Sequence, residues 1–119
     1  MVFESDLPPL QLRALIDQLD PDCFGINYDS GNSAALGYNV AEEITAYGDR
    51  IDNVHIKDRL LGGTTVPLGT GNADLPQVCK LLQESNYGGQ YILQTARATD
   101  GDHVGELCRY RTQLQQWLA

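Results

Sequence analysis

The sequence predicts a parallel α/β fold built from four βα units. Two observations carry this expectation. Short apolar runs alternate with longer segments of helical hydrophobic period, and each apolar run ends at a polar residue able to do chemistry. Strand ends are where such residues belong, because in parallel sheets several strands aim their C-terminal side chains at one point.

The elements follow in order. Met1-Val2-Phe3 is a short apolar run ending at Glu4. Behind Pro8-Pro9, which can open a helix but not interrupt one, Leu12, Leu15, Ile16 and Leu19 keep the i, i+3, i+4, i+7 spacing of a buried helix face. The second strand ends in Asn27-Tyr28-Asp29-Ser30-Gly31-Asn32. A helix from an Asn39 N-cap to a Gly48 stop then turns Val40, Ile44 and Tyr47 to one side. The third strand ends in Val54-His55-Ile56-Lys57-Asp58. A glycine-bearing segment, Gly62 to Gly71, reads as a mobile loop: it lacks the Gly-Lys-Ser/Thr of a P-loop, though its amides are available to a phosphate. Asp74 caps a helix with Leu75, Val78, Cys79 and Leu82 inward, Tyr91-Ile92-Leu93 is the fourth strand ending at Gln94, and Val104, Leu107, Cys108, Leu114, Trp117 and Leu118 mark the last helix.

Four donors therefore follow four apolar runs: Glu4, Asp29, His55 and Gln94. A carboxylate and imidazole set without thiolate suits Mn²⁺, Mg²⁺, Co²⁺ or Zn²⁺. Each residue also has a plainer reading. His55 can be a hydrogen-bonding strand-end histidine, Asp29 an Asx turn into Ser30-Gly31-Asn32, and Glu4 a frayed, solvated group near a terminus. Asp58 reads as a cap or a partner of Lys57 or Arg59, and His103 as exposed.

Composition sets outer bounds. The 119 residues carry a formal charge of −8 and a sequence pI near 4.4, which argues against a nucleic-acid partner. Cys23, Cys79 and Cys108 lack metal-ligand spacing and read as buried free thiols in a reducing cytoplasm, with Cys79 and Cys108 at inward helical positions. No stretch is apolar enough for a membrane span, and no basic, apolar leader opens the chain. The length makes one domain, 1–119, but an eightfold barrel takes about 250 residues. Half a barrel leaves two open edges and an inner apolar face, with Phe24, Ile26, Val54 and Ile92 in part exposed. Association with a second copy, as a homodimer or higher homo-oligomer, is the expected remedy.

Phe3-Glu4-Ser5-Asp6-Leu7-Pro8-Pro9, Tyr28-Asp29-Ser30-Gly31-Asn32, Val54-His55-Ile56-Lys57-Asp58, Val66-Pro67-Leu68-Gly69-Thr70-Gly71 and Tyr91-Ile92-Leu93-Gln94-Thr95-Ala96-Arg97 together resemble the xylose-isomerase-like sugar phosphate isomerase/epimerase family. The resemblance covers nearly the whole chain and maps it to the C-terminal four βα units of that family's TIM barrel. It implies a divalent metal held by Glu4, Asp29 and His55, with Gln94 where the family has a second Glu. A glutamine offers an amide oxygen but neither charge nor proton acceptance, so it weakens the metal site and disfavours a two-base epimerisation through an enediolate.

The resemblance also implies a sugar or sugar phosphate as substrate. Glu4 is then the expected base of a one-base isomerisation or dehydration, and Asn32, Lys57, Arg59 and Arg97 the expected substrate contacts. The rival expectation is a non-catalytic half-barrel, a fragment or a self-assembling module that keeps the motifs.

Overall fold

The computed structural model describes residues 1–119. Its strands are β1 (Val2–Phe3), β2 (Gly25–Asp29), β3 (Ile51–Ile56), β4 (Asp58–Arg59), β5 (Thr65–Val66) and β6 (Gln90–Leu93). The helices are α1 (Pro9–Ile16), α2 (Ser30–Leu36), α3 (Val40–Tyr47), α4 (Leu75–Glu84) and α5 (His103–Leu118), and a 3₁₀ turn, Gly48–Arg50, follows α3. Strands β1, β2, β3 and β6 pair in that order, all parallel. The sheet is thus four parallel strands wide, with β1 and β6 each paired on one side only.

The register separates the two faces. Tyr28, Val54 and Tyr91 stand opposite one another, and so do Ile56 and Leu93. Together with Ile26 they join the hydrophobic cluster under the helices, where Ile16, Leu75, Val78 and Leu82 are also packed. The opposite face carries Asn27, Asn53 and Gln90 in one row and Asp29, His55 and Ile92 in the next. None of these belongs to the core cluster.

That corrects the expected apolar inner face. Ile26 and Val54 are only 2% and 0% exposed because alternation turns them toward the helices, and Phe24 packs against the same core. Ile92, at 42%, is the one residue of that expected set left largely uncovered.

The helices follow their sequence signals with three departures. Asn39 and Asp74 cap α3 and α4 by accepting the Glu42 and Gln77 amides, and Leu75, Val78, Cys79 and Leu82 are buried as the spacing requires. Helix α3 ends at Gly48 as the sequence implies, but this C-cap is right-handed and leads into the 3₁₀ turn instead of taking the left-handed conformation of a glycine stop. Leu15 is turned outward on α1. On α5, Val104, Leu107 and Cys108 are exposed, and burial centres on Tyr110 and Leu114; of the three cysteines read as buried, only Cys79 is, since Cys23 too is exposed, in the turn after α1.

Candidate metal and substrate site

Asp29 ends β2 and begins α2, so its two oxygens have different duties. Oδ1 accepts the Asn32 amide at 2.9 Å and caps the helix. The turn reading of Asp29 is thus met by one oxygen. Oδ2 is buried and has no hydrogen bond.

His55 stands across from Asp29 on β3, with Nδ1 at 3.9 Å from Asp29 Oδ2. The same nitrogen lies 3.1 Å from Glu4 Oε1 and is likewise buried without a hydrogen bond. Glu4 is not frayed. Its Oε1 accepts from Asn27 Nδ2 at 2.5 Å and its Oε2 from Asn32 Nδ2 at 3.2 Å. The register places Asn27 beside Asn53, whose amide donates to Asn27 Oδ1 at 2.7 Å, so a short amide ladder carries Glu4.

One ligand atom from each of Glu4, Asp29 and His55 lies within 4.8 Å of the others. Two donors each about 2.1 Å from one ion stand about 3.0 to 4.2 Å apart. The separations of 3.1 and 3.9 Å fall in that window. Buried polar atoms normally find hydrogen bonds, and Asp29 Oδ2 and His55 Nδ1 have none, only the charged neighbours Lys57 and Glu4 at 3.2 and 3.1 Å, an arrangement that suits an occupant able to bind both. The three residues thus supply a donor set of the kind a divalent cation takes, with both separations to His55 in that window and the third within 4.8 Å. Gln94 follows β6 directly, where its backbone N–H continues the ladder to the Ile56 carbonyl at 3.0 Å. Its side chain is exposed and makes no hydrogen bond to the protein.

The cationic residues divide into held and loose. Lys57 is 3.2 Å from Asp29 Oδ2, and its stem crosses the first turn of α2 at Gly31, where a Cβ would sit 2.5 Å from Lys57 Cγ. Ser30 fixes that crossing by donating to the Lys57 carbonyl and accepting its amide. Arg59 grips the Gly63 carbonyl through Nε and Nη2 and donates through Nη1 to Asn32 Oδ1, so Asn32 bridges Arg59 and Glu4. Arg97 is exposed and makes no ion pair. His103 is exposed, as expected, and accepts the Ala98 amide.

Asp58 is a cap, not the partner of Lys57 or Arg59. It is 0% exposed and accepts the Gly69 and Gly71 amides on one oxygen and the Ala73 amide on the other. A Cβ at Gly71 would fall 2.2 Å from Asp58 Oδ1, which is why that position is glycine. The 62–71 segment is consequently pinned, with β4 and β5 forming a small antiparallel pair at its base, and these two glycine amides are not free for a phosphate.

Asn27, Asn53 and Ser30 are site supports that motif reasoning passed over. The signal was available for the first two, since asparagine is disfavoured inside a strand without a partner for its amide.

Residues 9–118 match the family described as xylose isomerase-like TIM barrel. L-ribulose-5-phosphate 3-epimerase UlaE of Salmonella typhi is 29% identical over 102 residues, which are 85% of this chain and 36% of the relative. Among solved structures, a xylose isomerase domain protein from Planctomyces limnophilus superposes with a TM-score of 0.78 at 20% identity, covering 96% of this chain and 45% of that one. D-allulose 3-epimerase from Methylomonas sp., solved with D-allulose, gives 0.67 at 20% identity, covering 88% of this chain and 42% of that one. The chain thus spans about a third of the curated relative and less than half of the solved structures. With its parallel strands and the extent of that match, the chain belongs to the xylose isomerase-like TIM barrel family.

Proposed function

We propose that this chain is the C-terminal half-barrel of a divalent-metal-dependent isomerase or epimerase acting on a sugar or sugar phosphate. The observation that carries the reading is the pair of buried, unbonded atoms, Asp29 Oδ2 and His55 Nδ1, beside the Glu4 carboxylate. Glu4, Asp29 and His55 hold the ion, with the Gln94 amide oxygen as a weak fourth donor. When bound, the ion (Mn²⁺, Mg²⁺, Co²⁺ or Zn²⁺) polarises the carbonyl and neighbouring hydroxyl of the substrate.

The chain supplies the proton chemistry. Glu4, oriented by Asn27 and Asn32, takes the proton from the carbon beside the carbonyl and returns it to the adjacent carbon on the same face, through an enediolate. Gln94 cannot act as a second base on the other face. This favours aldose–ketose interconversion or dehydration over a two-base epimerisation, even though the UlaE relative is named an epimerase. Asn32, Lys57 and Arg59 line the approach, and Arg97 is the unengaged cation for a phosphate.

Completion of the barrel is part of the proposal. Strands β1 and β6 are each paired on one side only, and α1 and α5 leave Leu10 (78%) and Val104 (75%) exposed, so the sheet has open edges and the helices carry uncovered apolar side chains. A second copy can cover both in a twofold pair, and a monodisperse monomer by light scattering would exclude it. No helix is long and apolar enough to cross a membrane. The unpaired cysteines suit a reducing cytoplasm.

A metal-supplemented screen of ketoses, their phosphates and inosose, read by proton exchange from D₂O, tests the reaction. Turnover lost in Glu4→Gln with metal still bound supports it, and C3 epimerisation by the parent chain would refute the one-base scheme. The exposed, unbonded Gln94 also favours a second reading, a silent half-barrel. No turnover on any compound with metal bound would establish that reading instead.

A further inference from the structure

Of the cationic side chains on and just after β3 and β6, Lys57 alone touches a residue of the metal cluster. Arg59 is spent on Gly63 and Asn32, Arg97 is unengaged, and Arg50 is fixed to the Ile16, Leu19 and Phe24 carbonyls at the other end of β3. Lys57 is 3.2 Å from Asp29 Oδ2, and only 15% of its side chain is exposed. That oxygen is the one Asp29 has left, because Oδ1 is committed to the Asn32 amide. A buried carboxylate oxygen facing an ammonium and an imidazole nitrogen has room for one strong cation, since a divalent ion at bonding distance from Oδ2 would repel Nζ at close range.

We propose that Lys57 is a resident stand-in for the divalent ion. Its ammonium neutralises Asp29 until the ion arrives, then gives up Oδ2 and swings toward the substrate side of the site. The inference rests on the metal reading above and adds to it an exchange of cations at one oxygen. The stem is built for such a swing. Its Cγ and Cδ lie across Gly31, its backbone is fixed on both sides by Ser30, and only the last two bonds to Nζ need to turn. The release also explains how a lysine paired to a ligand becomes a substrate contact.

Two measurements test the exchange. Lys57→Met keeps the stem over Gly31 and deletes the charge, so calorimetric titration with Mn²⁺ should show affinity higher by at least about tenfold than the parent. In the unaltered chain, acetylation of amines by an activated ester, read by mass spectrometry, should rise at Lys57 when Mg²⁺ is added. Lys80, 67% exposed on α4, is the internal reference and should not change. Equal or weaker Mn²⁺ binding by Lys57→Met would show that Lys57 merely orients Asp29, and would overturn the exchange while leaving the metal site standing. Mg²⁺-insensitive acetylation of Lys57 in a chain that binds Mg²⁺ would overturn it too. Absence of Mn²⁺ binding by both parent and Lys57→Met would overturn the metal reading itself, and the exchange with it.

Discussion

Three carboxylates are buried in this molecule, and they fall into two kinds. Glu43, on the helix side of β2, accepts from Tyr28 and from both Ser33 and Tyr47, at 3.3, 2.6 and 2.9 Å. Asp58, past the end of β3, accepts three backbone amides. Asp29, on the inner face, has one oxygen capping α2 and one without a hydrogen bond that faces the Lys57 ammonium at 3.2 Å and the His55 nitrogen at 3.9 Å. Buried acids whose every oxygen meets a donor hold parts of a fold together. A buried acid with one oxygen free of hydrogen bonds, held only by an ion pair to a lysine, is arranged to exchange that partner.

The comparison can be broken at each acid. Asp58→Ala should have the largest effect on stability, since it strands the Gly69, Gly71 and Ala73 amides together. A loss of about 3 kcal/mol in urea unfolding is expected. A loss under about 1 kcal/mol would mean the 62–71 segment is held by other contacts.

Glu43 should respond less strongly, and its response should depend on pH. Burial pushes its carboxyl above the usual carboxylate range, against the opposing pull of the Ser33, Tyr47 and Tyr28 hydroxyls. A raised carboxyl is a group that folding favours protonated. Its stabilising contribution is therefore whole below the unfolded value, near 4.5, and fades as pH climbs through the higher folded value. Parent minus Glu43→Gln should accordingly be more favourable to the parent at pH 5 than at pH 8, within a total of about 1 to 2 kcal/mol. A difference that is flat or grows toward pH 8 would show that the hydroxyls outweigh burial.

Asp29 should differ from both in kind. Charge added across the site matters there, and Gln94→Glu should tighten Mn²⁺ binding in calorimetry by restoring the second carboxylate the resemblance implies. Binding no tighter than the parent's would remove Gln94 from the ligand set.

How far the sequence could be read follows from the same contrast. Local signals were legible: the Asn39 and Asp74 caps, the inward set Leu75, Val78, Cys79 and Leu82, and four polar residues at strand ends. Helix α2 was not, because Ser30-Gly31-Asn32-Ser33-Ala34-Ala35-Leu36 has no apolar stripe; it forms from the Asp29 cap and buries small residues, Ser30, Gly31 and Ala34. Glu43 was equally opaque, since an acid in the first turn of a helix normally faces water, and its burial depends on hydroxyls contributed by β2 and α2. The inward set read for α5 failed at Val104, Leu107 and Cys108 because periodicity marks an apolar stripe without saying whether this chain has anything to cover it. The strand-end residues were found singly, but the long-range pairs that make them a site, Asn27 with Glu4 and Lys57 with Asp29, exist only through the parallel register.

The central claim is that Glu4, Asp29 and His55 form a site for one divalent ion, and calorimetric titration of Mn²⁺ into the parent chain and His55→Ala tests it most directly. The account predicts one ion per chain in the parent and a loss of affinity of about a hundredfold or more in the variant, with folding unchanged by circular dichroism. A parent that binds no ion, or a variant that binds as tightly as the parent, would contradict it.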